Sequence, residues 1–265
     1  MVAAYSNRDA GHEAELKKLI EKNGIGGLIF FQGGPIREVD MYNRLQTDSN
    51  IPLWVGMDAE WGLSMRLDST YAFPWNMTLG AVEDNELIKQ VGQQVAKHCK
   101  RLGVHINFAP VVDINTNPKN PIIGNRSFGE DRDNVTEKAS AFMKGMQDAG
   151  VLANAKHFPG HGDTDQDSHK TLPTISFNEK RIDSVELYPY KKLIKEVKSS
   201  FKDQFNLRLL DEDLHKGIYL ASNIPKGYGA GSSGAFCASI LKRYGLEKIN
   251  ESPQKLKELL KYRLN

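Results

Sequence analysis

Five times between residues 1 and 190 a short apolar run gives way to a segment with helical periodicity. This alternation limits the possible folds more than any other feature, because β-then-α units in series demand parallel strands joined by crossover helices. The apolar runs are 1–5, 26–31, 52–58, 104–110 and 151–155, the last reading as a buried strand. Helices are predicted over 12–22, 36–47, 84–102, 134–149 and 179–197. In the third, Leu87, Ile88, Val91, Val95, Cys99 and Leu102 trace one face, with Asp84 as cap; in the fourth, Asn134 is the expected N-cap. Each run ends in a polar or glycine-rich loop, and no Gly-x-Gly-x-x-Gly opens a helix after the first strand. Both points favour a barrel over a dinucleotide fold. The predicted class is α/β: a partial (β/α)8 TIM-type barrel of about five to six βα units, followed by a small α/β fragment.

The chain has 265 residues, 40% hydrophobic and 26% charged, with a formal charge of +2. That near-neutral balance gives no argument for nucleic acid as a partner. Cys99 and Cys237 are the two cysteines, too few for a disulfide framework or a zinc site. No run reaches the roughly eighteen apolar residues of a membrane span, and no signal peptide is visible. Because Met1 opens directly into a strand, residues are expected to be missing upstream, and cell envelope and cytoplasm both stay open as compartments.

The densest chemistry lies in residues 156–169, Lys-His-Phe-Pro-Gly-His-Gly-Asp-Thr-Asp-Gln-Asp-Ser-His. Pro159, Gly160 and Gly162 forbid helix and regular strand, so this is a polar loop leaving a strand's C-terminal end, where α/β folds usually do chemistry. Asp167 is two residues from His169 and can orient its imidazole as a general acid/base near neutral pH. The same composition also suits a polar surface loop. A metal site is a third reading, with His157, His161, Asp163, Asp165 and Asp167 as possible ligands, but the spacing is not His-Glu-x-x-His.

This motif closely resembles the signature of glycoside hydrolase family 3, in its β-N-acetylglucosaminidase branch. Trp54-Val-Gly-Met-Asp-Ala-Glu-Trp-Gly62, Phe108-Ala-Pro-Val-Val-Asp-Ile114 and Asn125-Arg-Ser-Phe-Gly129 resemble three further blocks of the family in the same order. The resemblance runs over roughly residues 1–192. It implies a retaining glycosidase for terminal β-linked N-acetylglucosamine or a related β-glycoside, needing no cofactor and no metal. It also implies that His169 is the acid/base, paired with Asp167, and that Asp58, Arg126, Lys156 and His157 bind sugar hydroxyls. Other readings of single residues stay open. Arg126 can pair with Glu130 or Asp131, Asp58 can cap a helix, and Trp61 can be a sugar platform or core. The family's Asp nucleophile belongs to a late strand, whereas Asp183, Asp203, Asp211 and Asp213 all follow helical or charged sequence. The expectation is a truncated barrel without its nucleophile.

Near residue 195 the texture changes, giving an expected division into 1–194, the incomplete barrel, and 195–265. The second part holds Asn223-Ile-Pro-Lys-Gly-Tyr-Gly-Ala-Gly-Ser-Ser-Gly-Ala235, a glycine- and serine-rich turn opening a helix. It resembles the phosphate loop of the GHMP small-molecule kinases, which implies phosphate contacts at Gly229, Gly231, Ser232 and Ser233, with ATP and Mg²⁺ as alternative cofactors. Two incomplete families meeting without a natural linker point to a join made in assembling the sequence. Oligomeric state is not legible.

Overall fold

A computed structural model describes residues 1–164, 178–201, 208, 209 and 212. It forms two compact units, and the chain passes between them at Gly56–Met57 and at Lys195–Glu196. In the first, β1 (Val2–Tyr5), α1 (Ala10–Asn23), β2 (Gly27–Gln32) and α2 (Pro35–Asp48) lead into β3 (Trp54–Met57), whose last residue opens the second unit. There follow α3 (Asn76–Gly80), α4 (Asn85–Arg101), β4 (Ile106–Asn107), α5 (Arg132–Asp148), β5 (Leu152–Ala153), α6 (Glu179–Ser184) and α7 (Tyr188–Phe201).

Within the first unit β1 and β2 pair in parallel, Val2 opposite Leu28 and Ala4 opposite Phe30. Trp54 N–H donates to Gly26 O at 3.0 Å, which sets β3 beside β2. A Cβ on Gly27 would lie 2.5 Å from Trp54 O, so this strand contact requires glycine. Asp9 caps α1 by accepting from Gly11 and His12 N–H, and Gly24 ends it in a left-handed turn (φ 60°). In α2, Pro35 occupies the first turn, where no N–H is needed.

Within the second unit Phe108 N–H donates to Met57 O, and β4 pairs in parallel with β5, Asn107 opposite Ala153. This is the TIM-like α/β arrangement expected from the alternation. The strands are shorter than the apolar runs. Pro110 has no N–H to offer a ladder, and Ala109 N–H turns back to Asn107 O at 2.8 Å, so regular pairing stops while single bonds continue as far as Lys156. The expected buried strand at 151–155 is only partly buried: Val151 is covered, but Leu152 is exposed.

Helices α4 and α5 form the main packing of this unit. Gly92 faces Phe142 O and Gly145 faces Lys89 O, each so close that a Cβ would sit within 2.2 Å of the carbonyl. Ile88, Val95, Cys99, Val135, Phe142 and Met146 fill the space between them. Asp84 caps α4 as expected, through Glu86 N–H. The cap of α5 is corrected from Asn134 to Asp131, whose carboxylate accepts from Asn134 N–H at 2.8 Å; the Asn134 amide instead donates to Gly80 O. The single helix expected over 179–197 is two helices. The chain leaves helical geometry after Ser184, and α7 restarts with Pro189 in its first turn.

Glu38 of α2 is fully buried, and among the described residues neither carboxylate oxygen has a hydrogen-bond partner. Burial pushes its carboxyl up to about 8. The folded state keeps a proton that the unfolded chain releases near 4.5, so this group lowers stability progressively as pH rises from about 4.5 to about 8. Glu38→Gln should flatten that dependence: denaturant midpoints measured at pH 5 and pH 8 should move together in the variant and apart in the parent.

Candidate active site

The site belongs to the second unit and grows from the ends of β3, β4 and β5. Asp58, Ala59 and Glu60 directly follow β3. Asn107, at the end of β4, holds Ala59 from both sides: its Oδ1 accepts from Ala59 N–H at 2.9 Å and its Nδ2 donates to Ala59 O at 3.2 Å. With Ala59 clamped and buried, its neighbours on either side project together, as residues i and i+2 of extended chain do.

The Lys156 ammonium lies between them, 2.7 Å from Asp58 Oδ1 and 2.6 Å from Glu60 Oε1. Arg66 takes the other Asp58 oxygen at 2.5 Å. Arg126 grips Glu60 with two parallel bonds, Nε to Oε2 at 3.0 Å and Nη2 to Oε1 at 2.8 Å. The same Nη2 lies 3.2 Å from His157 Nε2. Because a guanidinium can only donate, His157 Nε2 accepts, and the ring proton sits on Nδ1. Nδ1 in turn donates to Asp113 Oδ2 at 2.6 Å. Asp113 also accepts the backbone N–H groups of His157 and His161.

These groups form two tiers. The side chains of Glu60 and Asp113 are 0% exposed, whereas those of Lys156, Asp58, Arg126 and His157 keep 11%, 15%, 19% and 33%. The upper tier can meet a solute, and the lower tier fixes it from beneath. Burial pushes the Asp58 carboxyl up, but Lys156 and Arg66 outweigh burial and hold it below its ordinary value. Glu60 behaves alike, burial being overcome by its Arg126 bonds and the Lys156 charge. Burial pulls the Arg126 guanidinium down, and Glu60 more than restores it.

The described part of the loop after β5, as far as Thr164, is anchored at several points. The peptide bonds Lys156–His157 and Phe158–Pro159 are cis. A Cβ on Gly162 would fall 1.8 Å from Ile114 O, and one on Gly160 (φ 145°) would fall 2.5 Å from Glu186 Cβ. Only glycine lets the loop lie this close to both neighbours. Asn120 donates to His161 O at 2.7 Å, and Arg181 joins Asp163 at 2.8 Å to Glu186 at 3.1 Å.

The structure therefore brings Asp58, Arg126, Lys156 and His157 into one cluster. The surface pairing of Arg126 with Glu130 or Asp131 gives way to the buried Glu60, and Asp131 instead caps α5. Asp58 faces two cations and caps no helix. Trp61 is half-buried, its ring centroid 4.1 Å from that of Trp75. The candidate metal ligands diverge: His157 turns to Asp113, His161 to Thr164 and Asp163 to Arg181. Among the described residues no group of three or more His, Cys, Asp or Glu is placed to hold a metal ion. Asp165, Asp167, His169, Gly229, Gly231, Ser232 and Ser233 lie outside the described residues.

Sequence reasoning passed over Glu60, Asp113 and Arg66. The signal for Glu60 was its i, i+2 relation to Asp58; for Asp113, its place just after an apolar run.

A parallel α/β fold with ion-paired and hydrogen-bonding side chains gathered after its strands is the layout of a TIM-like barrel enzyme site. Residues 4–201 match the glycosyl hydrolase family 3 N-terminal domain, and the chain belongs to that family. It is 37% identical over 194 residues to the beta-hexosaminidase A of Pseudoalteromonas piscicida, an alignment covering 68% of this chain and 32% of that protein. It is 34% identical to the beta-hexosaminidase of Haemophilus influenzae, covering 70% and 55%. Among solved structures, the family 3 β-N-acetylglucosaminidase from a Paenibacillus species superposes with a TM-score of 0.67 at 38% identity, covering 74% of this chain and 38% of that one. The chain thus spans about a third to a little over half of these proteins' own length.

Glu60→Gln should leave Lys156 and Arg126 undercompensated and lower stability by about 3 kcal/mol, the scale for breaking a buried ion pair. Asp58 and Glu60 are ionised in the folded state at pH values where the unfolded chain, near 3.8 and 4.5, still holds their protons. Their stabilisation is complete above about 4.5 and is lost as pH falls through the lower folded values. Acid titration followed by circular dichroism should therefore show a shallower low-pH limb in Glu60→Gln.

Proposed function

We infer that this chain binds and hydrolyses terminal β-linked N-acetylglucosamine or a related β-glycoside, without a cofactor. The observation that carries the reading is the two-tiered cluster: Asp58 offers acceptors, and Lys156 and Arg126 offer charged donors. His157 stands beside them with its tautomer fixed by Asp113. Vicinal sugar hydroxyls both donate and accept, which is what such a mixed array satisfies. The relatives' names support the choice of an N-acetylhexosamine, as does a family member from Neisseria gonorrhoeae, 25% identical with a TM-score of 0.64, whose structure holds N-trifluoroacetyl-D-glucosamine.

In the proposed chemistry His169, oriented by Asp167, protonates the leaving oxygen. A carboxylate attacks the anomeric carbon, and the same imidazole then activates the water that releases the sugar. Asp58, Glu60 and Asp113 are all engaged by cations or N–H groups, and Asp183 pairs with Lys191 at the surface. Turnover therefore needs a carboxylate outside this set. Without one, the chain keeps the sugar grip alone.

For residues 195–265 the glycine- and serine-rich run supports a separate proposal, a GHMP-type kinase fragment that binds ATP with Mg²⁺ at Gly229, Gly231, Ser232 and Ser233; nucleotide titration by calorimetry tests it.

The decisive assay is turnover of a chromogenic aryl β-N-acetylglucosaminide. His169→Ala should lower the rate by ~10²- to 10⁴-fold, the scale of a general acid/base. Lys156→Met should weaken N-acetylglucosamine binding by about tenfold or more, the scale of a charge-assisted hydrogen bond. A parent chain that binds the sugar without turning it over is a binding protein; one that does neither overturns the reading.

A further inference from the structure

Asp167 and His169, the pair proposed for proton transfer, lie in the sequence between Thr164 and Asn178. The described residues on the two sides of that segment are bonded to one another. Asp163 precedes it and Arg181 follows it, and Arg181 Nη2 donates to Asp163 Oδ2 at 2.8 Å across 18 positions of sequence. The other arm of the same guanidinium, Nη1, lies 3.1 and 3.2 Å from the two oxygens of Glu186. Glu186 stands where the chain has left α6 and has not yet entered α7. Its stem lies so close to Gly160 that a Cβ there would be 2.5 Å from Glu186 Cβ. Each end is also fixed separately. Asn117 Nδ2 donates to Thr164 O at 3.2 Å, and Asn178 caps α6 by accepting Arg181 N–H at 3.0 Å. The side chains of Arg181, Asp163 and Glu186 are 29%, 15% and 5% exposed, so the triad is no solvated surface pair of the kind worth little.

We propose that Arg181 is a positioning residue for the reaction: by bonding Asp163 and Glu186 at once, it fixes the separation of the two ends of the segment that carries Asp167 and His169. The proposal rests on the reading of His169 as the acid/base. A planar guanidinium holds two carboxylates in set directions, which the single point charge of an ammonium does not. A proton-transferring group must be kept within about 0.5 Å of its productive position by the groups around it. Releasing the base of a segment multiplies the positions open to every residue on it, and the ordering lost there is a conformational-entropy cost to each turnover. The groups that would grip the sugar are bonded among themselves and to Arg66 and Asp113. Loss of Arg181 should therefore be felt in proton transfer before it is felt in sugar affinity.

Turnover of the aryl β-N-acetylglucosaminide by the full chain, with calorimetric titration of N-acetylglucosamine alongside, tests the role. Arg181→Ala should lower kcat by ~10- to 100-fold, the scale of a misplaced reacting group, while KM and sugar affinity stay within about twofold of the parent. Guanidinium ion at a non-denaturing concentration can bridge Asp163 and Glu186 again. It should restore part of the lost kcat in Arg181→Ala and leave the parent unchanged. Arg181→Lys, which keeps the charge and guards against a folding defect, should fall between the parent and Arg181→Ala. An unchanged kcat in Arg181→Ala, or equal losses of kcat and sugar affinity that guanidinium does not restore, overturns the positioning role and leaves the acid/base reading standing. A parent without turnover, or an undiminished rate in His169→Ala, overturns the acid/base reading and the role of Arg181 with it.

Discussion

The Lys156 ammonium is the interaction on which the site depends. Asp58 and Glu60, held on one side of the chain by the Asn107 clamp on Ala59, would repel each other without a cation between them. Lys156 meets both carboxylates and also continues the backbone pairing of its strand, donating its N–H to Pro110 O. One residue thereby joins the sheet to the charge network. Arg126 repeats the arrangement one step outward, tying Glu60 to His157 and through it to Asp113. A shift of any member reaches the others through bonds of 3.2 Å or less, and that coupling preorganises the upper tier for a ligand.

What sequence could show here depended on periodicity. The helices were legible because apolar residues recur on one face over three or more turns; α4, bounded by Asp84, is the clearest case. The strands were legible as runs but not as lengths, since Pro110 and the inward turn of Ala109 N–H end the β4 ladder early. The break between α6 and α7 was missed because Ile182, Val185, Leu193 and Ile194 keep helical spacing across it, while the signal that mattered was Pro189. The cap of α5 was misplaced because Asn134 and Asp131 are both good cap types, and only the backbone path selects between them.

For the site, the family resemblance of the blocks that carry Asp58, Arg126, Lys156 and His157 marked out the upper tier, where spacing alone did not. The lower tier was harder to see. Glu60 and Asp113 are buried charges; their places beside Asp58 and after an apolar run hint at a role, but burial shows only once the partner cation or N–H groups are known. Arg126 lies 66 residues from Glu60. Only the fold of α3 against the 124–126 turn, held by Asn76, brings that guanidinium into range.

The cluster is electrically complete before anything enters it. Three carboxylates, Asp58, Glu60 and Asp113, already face Lys156, Arg66, Arg126 and two backbone N–H groups. Sites that reject an analogue lacking one hydroxyl by large factors do so because a buried polar group is left unpaired. Here a missing hydroxyl leaves the protein groups bonded to one another. On the proposed sugar-binding reading, the affinity gained from each hydroxyl is only its advantage over an internal partner, so losing one hydroxyl costs less than losing the cation that organises the cluster. Discrimination among sugars would come from the shape of the whole ring.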